Sequence, residues 1–523
     1  MKKILSLLFT FFLISALQGQ NVNWSFPPTP LSSTVAPASN PLVGIDKDGN
    51  SVAVWVENNR VRSSNKHTNS GWTAAVNVSS KNASSPCLTV DANGNATAIW
   101  IEAGVAKGAT KTLNGSWSSS VALSQSGASS PSLCVDCTGN VVAAWIRGNN
   151  VESSTKLFMG TWQAKITINS SDAANPVVAI GGSGSNTRAY IVWQGTSGGN
   201  SAIFSSTRTI FGGTWSSGQV ISNSNHEAAN PYVVVDSNAN AIAVWYAYGQ
   251  YGNNFTNVIL QSAMCPSGGN WGELSDLSEP GIGNPQNFVA KVAIDATGNA
   301  IALWNTSFDD QTYHIQSAVK PVNGIWSEAV DLVDSNLYAY TVDLSTTAFG
   351  DVLGLYMFYN GASLLIQSTE SDINGFLNNF WSVPVTISYQ SNNAFPKIAA
   401  SINGNTIYAA AVWLHYDGSV NNVVAATGSK SLVSPPSNLH VSQNTNPFGV
   451  FSEYYNTLTW NASLDPNVVG YLIFRNGLFL EQVDPGVLQY IDDNRTLNGS
   501  VTYSVTAINA QKEQSPTASI HFP

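Results

Sequence analysis

Charge is scarce in this sequence: Asp, Glu, Lys and Arg make up 10% of 523 residues, and acidic residues outnumber basic ones 31 to 21. A net charge of −10 with no Lys or Arg cluster argues against a nucleic-acid partner, because neutralising a phosphate backbone needs concentrated positive charge. Cysteine is nearly missing, with four residues, too few for a disulfide framework. Cys134 and Cys137 have the C-x-x-C spacing, yet no second pair or histidine partner accompanies them, so no metal or cofactor is expected there. Cys87 and Cys134 fall in equivalent strands of neighbouring repeats, which leaves a bridge between them open. Past the N-terminus no run is long and apolar enough to cross a bilayer. A P-loop, a dinucleotide fingerprint and a serine nucleophile elbow are all missing from fitting contexts.

The N-terminus itself, with Lys2 and Lys3, an apolar run from Ile4 to Ile14 and small residues at Ser15, Ala16 and Gly19, reads as a secretory signal peptide over residues 1–19. The mature chain is therefore expected outside the cell, secreted or at the cell surface, with no transmembrane segment.

Repetition is what the chain has in abundance. Trp55, Trp100, Trp145, Trp193, Trp245, Trp304, Tyr356 and Trp413 each close a short Ala/Val-rich strand, at steps of 45, 45, 48, 52, 59, 52 and 57 residues. Such periods indicate repeated units that stack to share a core. In one unit Pro86 opens a strand that ends at Asp91, Gly94 and Asn95 form a tight turn, and a second strand runs from Ala96 to Trp100. Ala96, Ala98 and Trp100 share one face and Thr97 and Ile99 the other; with both faces apolar, the strand is expected between two neighbouring sheets. Gly94 supplies the positive φ of the turn and Asp91 an acceptor for its backbone. The turn recurs at Asp46, Asp136 and Asp295, and at Asp236 with Ala239 in place of glycine.

A third strand rich in serine follows, and a fourth begins near a second tryptophan: Trp72, Trp117, Trp162, Trp215, Trp271, Trp326 and Trp381. These are seven for eight aromatic-ended strands, and Trp24 supplies the missing one from the other end of the chain. The N-terminal strand is thus expected to complete the last sheet and join the ends of a ring, removing long exposed edges. The expected fold is an all-β β-propeller of eight four-stranded blades over residues 20–433, with seven blades as the alternative count.

The hairpin resembles the Asp-box turn of sialidase-like propellers, in which an aspartate and a glycine precede an aromatic residue, although Asp91 and Trp100 stand nine apart, farther than the box allows. The resemblance implies the fold family. A sialidase site would need three arginines; Arg60, Arg62, Arg147, Arg188 and Arg208 all lie in the first half, and the Phe-Arg-Ile-Pro segment of that family is missing. After Val433, a Pro-rich entry at Ser434, Trp460 on a second strand, alternating strands around Tyr471 and Tyr490, and Tyr503 at the tyrosine-corner position resemble a fibronectin type III domain over residues 434–523. That resemblance implies an immunoglobulin-like β-sandwich acting as a spacer.

Ligands prefer concave places, and the loops after the aromatic-ended strands and those entering each Pro-marked strand open together at one mouth of a propeller channel. These loops bring Glu57, Glu102, Arg147 and His415 to equivalent positions, together with His226 and with Asp417. Two longer loops are aromatic-rich: one holds Tyr246, Tyr248 and Tyr251, the other Phe308, Asp309, Asp310 and Tyr313. Glu57 and Glu102, from adjacent blades, form a carboxylate pair of the glycosidase type if one is held protonated; otherwise they are solvated loop charge. His226, His314 and His415 show no short ligand spacing for a metal, and the Asp46–Asn50 turn, with its second acid Asp48, offers calcium as a minor alternative. The expected role is recognition or adhesion, the propeller binding a glycan or an extracellular protein without catalysis. A glycan-cleaving hydrolase using Glu57 and Glu102 is the alternative.

Overall fold

The computed structural model describes residues 21–522 apart from 81, 252–253, 309–311, 333–337, 373–380, 390–391, 449–450, 498 and 511–513. The expected leader lies outside the described residues, as do Asp309 and Asp310, and so does the side chain of Tyr251. Secondary structure is β throughout, apart from two short 3-10 turns at Gly184–Asn186 and Pro285–Asn287. The strands form ten sheets. The chain divides into two compact units, a larger one of Asn23–Ile402 with Tyr408–Gly428 and a smaller one that contains Asn403–Ile407 and Ser429–Pro523.

The larger unit is a β-propeller of eight blade-like antiparallel sheets. In the second sheet Ala83–Val90, Ala96–Glu102, Val105–Lys111 and Val121–Ala122 lie side by side in chain order, and six others repeat that order. The last sheet takes three strands from Asn392–Asn403, Thr406–Tyr416 and Asn421–Ser431, and its outer edge from Asn23–Trp24 and Thr29–Pro30. Ser25 N–H donates to Thr427 O at 2.8 Å and Leu31 N–H to Val423 O at 2.8 Å, so the N-terminal segment fills the place of the fourth strand.

Alternation along the second strands builds the core. Ala98 and Trp100 pack with Val54 and Val61 of the first sheet. Ile99 and Ile101, on the opposite face, pack with Ala143 and Trp145 of the third. The strand is apolar on both faces because it has a sheet against each, and all seven second-strand tryptophans are completely buried. The circuit closes where Ala53 and Trp55 of the first sheet meet Val412, Leu414, Val423 and Ala425 of the last.

The first strands of neighbouring sheets lie closest to one another, around the axis. Cys87 Sγ donates to Pro131 O at 3.0 Å, Ser132 Oγ accepts from Val178 N–H at 3.1 Å, and Asp343 Oδ2 accepts from Ile398 N–H at 2.9 Å. All four cysteines are free thiols.

In the smaller unit, one sheet holds Ser437–Phe448, Phe451–Asn461 and Gln489–Arg495, and a second holds Val468–Arg475, Leu478–Val483, Val501–Asn509 and Ala518–Phe522. Leu458, Trp460, Tyr471, Ile473, Tyr503 and Val505 form its core. The Tyr503 hydroxyl, fully buried, donates to Asp492 Oδ2 and accepts from Asn456 Nδ2 at 3.1 Å, while Arg475 Nη1 bonds both Asp492 oxygens at 2.7 and 2.9 Å.

Candidate functional site

The two carboxylates singled out in the sequence are held by their own sheets. Glu57 Oε2 accepts the Trp55 indole N–H at 3.2 Å, its Oε1 accepts Ser33 N–H at 3.0 Å, and Arg62 stands 3.6 Å away. Glu102 repeats the arrangement, accepting from Trp100 at 3.1 Å and from Ser80 N–H at 3.2 Å, with Lys107 Nζ on its other oxygen. Burial alone would raise the Glu102 pKa; hydrogen bonds from Lys107 and Trp100 and the lysine charge outweigh it and hold the carboxyl below its ordinary value of 4.5. A third carboxylate plays the same part. Glu152 accepts from Trp145 at 2.8 Å and pairs with Lys165, while Arg147 stands 3.5 Å away and spends its other donors on Ser126 O and Gln125 Oε1, both at 3.0 Å. Trp193 and Trp413 use Ser170 Oγ and Asn393 Oδ1 instead. These acids are indole partners, one to a sheet.

The remaining candidates divide between core and mouth. Tyr246 and Tyr248 lie on the strand Ala241–Tyr251 rather than in a loop, because Tyr246 and Ala247 continue the ladder opposite Leu260 and Ile259. Both are buried between the fifth and sixth sheets, where the Tyr246 hydroxyl donates to Asn305 O at 2.8 Å. Phe308 and Tyr313 flank the hairpin of the sixth sheet. Phe308 is 39% exposed with its ring 5.2 Å from that of His314; Tyr313 is half-buried, 5.1 Å from the Tyr340 ring and 6.2 Å from Phe288.

The three histidines have separate surroundings. His226 is exposed in a turn, His314 Nδ1 lies 3.6 Å from Asp331, and His415 Nδ1 lies 3.2 Å from Asn393 Oδ1 beneath Tyr389. Burial lowers the His415 pKa, with Asp417 opposing. Asp417 folds its own turn, accepting from Ser419 N–H, Val420 N–H and Asn422 Nδ2 at 2.8, 3.0 and 2.6 Å. On the other face Asp46 accepts from the amides of Asp48 and Asn50, and Asp48 pairs with Lys47. No three His, Cys, Asp or Glu side chains gather as a metal site among the described residues.

Seven of the eight first strands contain a non-glycine residue in the left-handed region: Asn40, Ser85, Ser130, Asn175, Asn230, Thr341 and Phe395, with φ between 35° and 53°. In six of these strands the residue sits at a shift in the ladder register, such as that between Ser84 and Cys87. A bulge of this kind re-aims side chains, at a cost of about 1–3 kcal/mol for each such residue. It leaves Asn40, Ser85, Ser130 and Asn175 exposed on one arc and Phe395, 58% exposed, on the other. Because the first strands begin on the face that carries the hairpins between second and third strands, here the hairpin face, these residues rim the channel mouth beside Tyr340 and Tyr313.

Two residues beyond the bulge, about 7 Å along a strand, Leu42, Cys87, Ser132, Val177, Tyr232 and Asp343 pair with the residue just before the second-strand aromatic, and Lys291 of the unbulged sixth sheet holds the same register. Lys397 follows the bulge residue of the last sheet at the same interval. Lys291 Nζ sits 3.9 Å from the centre of the Tyr232 ring, and Lys397 Nζ is 3.5 Å from Asp343 Oδ1. Burial pushes the Tyr232 hydroxyl above its ordinary value, with the Asp343 charge adding and the Lys397 charge opposing. None of these channel residues stands out by residue type; the signal is their register against the repeated aromatic residue.

No family model and no curated protein matches the chain. Among solved structures, it is similar to an ulvan lyase of a polysaccharide lyase family bound to an oligosaccharide, at 11% identity and a TM-score of 0.42, over 77% of this chain and 97% of that one. It is similar to the polysaccharide lyase Uly1 at 9% identity and 0.38, over 80% and 94%, and to the Aleuria aurantia lectin at 11% and 0.36, over 70% and 99%. Likenesses at these identities and scores carry no argument about what this chain does.

Proposed function

We propose that the chain is an exported recognition protein that binds a glycan at the hairpin-face mouth of the propeller, with residues 434–523 as a fibronectin type III-like spacer. The observation that carries this reading is the ring of left-handed bulges. Backbone strain repeated in seven sheets needs a reason, and folding alone does not supply one: the sixth sheet joins the same ring without it, by seating Val289 N–H on Asn305 Oδ1 at 2.6 Å. The bulges set amide and hydroxyl groups on one arc of the mouth, and Phe308, Tyr313, Tyr340 and Phe395 present aromatic rings on the other. Hydroxyl-rich rings with apolar faces are complementary to such a surface.

What supports binding over cleavage is the state of the acids. A glycosidase pair needs one carboxyl protonated near neutral pH, whereas Glu102 is held ionised and both Glu57 and Glu102 are occupied by indole, amide and cation.

The test is a glycan array on the protein lacking residues 1–19, with every bound glycan assayed for products. Binding without products is expected, and Tyr313→Ala is expected to weaken it by about tenfold, as for loss of one aromatic contact. Cleavage abolished by Glu57→Gln or Glu102→Gln overturns the reading.

A further inference from the structure

The channel below the mouth holds a cation to which the described residues offer no hydrogen-bond acceptor. Lys291 is half-buried, and its ammonium lies over the π face of Tyr232; among the described residues it makes no hydrogen bond and feels one opposing charge, that of Asp343. Asp343 is already engaged by Lys397 and by the Ile398 amide. At this level the circumference therefore carries two lysines against one aspartate, its other members being uncharged, inside a protein whose net charge is −10. A half-buried ammonium with no hydrogen-bond acceptor from the described residues attracts an anion more strongly in such a confined space than in bulk water.

We propose that Lys291 and Lys397 form an anion subsite in the propeller channel that takes a carboxylate or sulfate group. Tyr232 faces the Lys291 ammonium, and Asp343, in the sheet between those of the two lysines, pairs with Lys397. Resting on the glycan reading above, this makes the preferred ligand an acidic glycan, its sugar held at the rim and its charged substituent reaching about 7 Å down the inner strands, a two-residue span. The same oxygens on a free anion would fit the subsite, so the two sources need separate arms in the test. Burial lowers the Lys291 pKa, as unpaired burial should, and a bound anion reverses that tendency.

The experiment is isothermal titration of the chain lacking residues 1–19, as wild type, Lys291→Met and Asp343→Asn. Each is titrated with sodium sulfate, with a glucuronate-containing oligosaccharide and with its neutral carboxyl-reduced counterpart. The wild type is expected to prefer the acidic oligosaccharide by about tenfold or more, Lys291→Met to erase that preference, and Asp343→Asn to tighten binding of sulfate and of the acidic sugar severalfold. Asp343→Asn keeps an acceptor for Ile398, so a gain in affinity cannot come from unfolding. Glycan binding that ignores charge and is unchanged in Lys291→Met overturns the subsite and leaves the glycan reading standing. Sulfate binding that depends on Lys291, with no glycan bound, sustains the subsite and overturns the glycan reading. If neither sulfate nor glycan binds at millimolar concentration, both are overturned.

Discussion

At Glu102 two readings of one residue meet. As an acid two positions past Trp100 it looked like loop charge or half of a catalytic pair. Yet residues i and i+2 of a strand share a face, so the same spacing already set the carboxylate beside the indole N–H. Glu152 was not legible in that way, because it stands opposite Trp145 on the next strand and only the ladder register brings them together. The lowered pKa of Glu102 makes a pH prediction. The folded state holds the carboxyl ionised more firmly than the unfolded chain does, so its contribution is full above the ordinary value of 4.5 and is lost as pH falls through the lower folded value. Glu102→Gln is expected to reduce stability at pH 7 by about 1–2 kcal/mol, as for a buried charge-assisted hydrogen bond. That gap should close as denaturant titrations are repeated below pH 4. A gap that stays constant to low pH refutes it.

The turns between first and second strands show how one element is fitted to the next. From sequence, glycine was read as the supplier of positive φ, and Gly94 and Gly139 do have φ of 79° and 91°. A second reason was not legible, because it lies between repeats. A Cβ on Gly94 would stand 2.8 Å from Asp46 Oδ2 of the preceding turn, one on Gly139 3.0 Å from Asp91 Oδ2, and one on Gly298 3.1 Å from Asp236 Oδ2. In these three pairs the aspartate of one turn presses on the glycine of the next. This also explains the exception at Ala239: the fourth sheet, before it, has no turn aspartate, and Ala239 faces Gly182 instead. Gly139→Ala is expected to cost about 2 kcal/mol, since it also meets Phe158 at 2.6 Å, whereas Ala239→Gly should cost under about 1 kcal/mol. Chemical denaturation of the two variants decides it; equal losses would mean that φ alone governs these turns. The expectation of a loop at Tyr246–Tyr251 fell short for a similar reason, since how far a hairpin ladder extends depends on what packs over it.

For the propeller as a whole, the count of tryptophans was enough to assign the N-terminal segment to the last sheet, because one fourth-strand marker was missing at one end and spare at the other. The channel was not legible, since its lining comes from eight strands whose shared level only the register reveals. Removing residues 21–32 strips the outer edge from the last sheet and uncovers Val423 and Ala425, which pack with Leu31 at the seam. The variant is expected to melt lower and to self-associate through the bared edge, as exposed edges do. Light scattering and thermal melting check this, and a monomer with unchanged melting would show that the seam holds without its closing strand. The bond from Thr427 N–H to Ser25 Oγ joins residues 402 positions apart, so during synthesis the first piece of the propeller to emerge has no partner until nearly all the rest has been made. Closure of the ring therefore waits for the last sheet, and every nascent chain short of it carries an unpaired seam that other chains can fill.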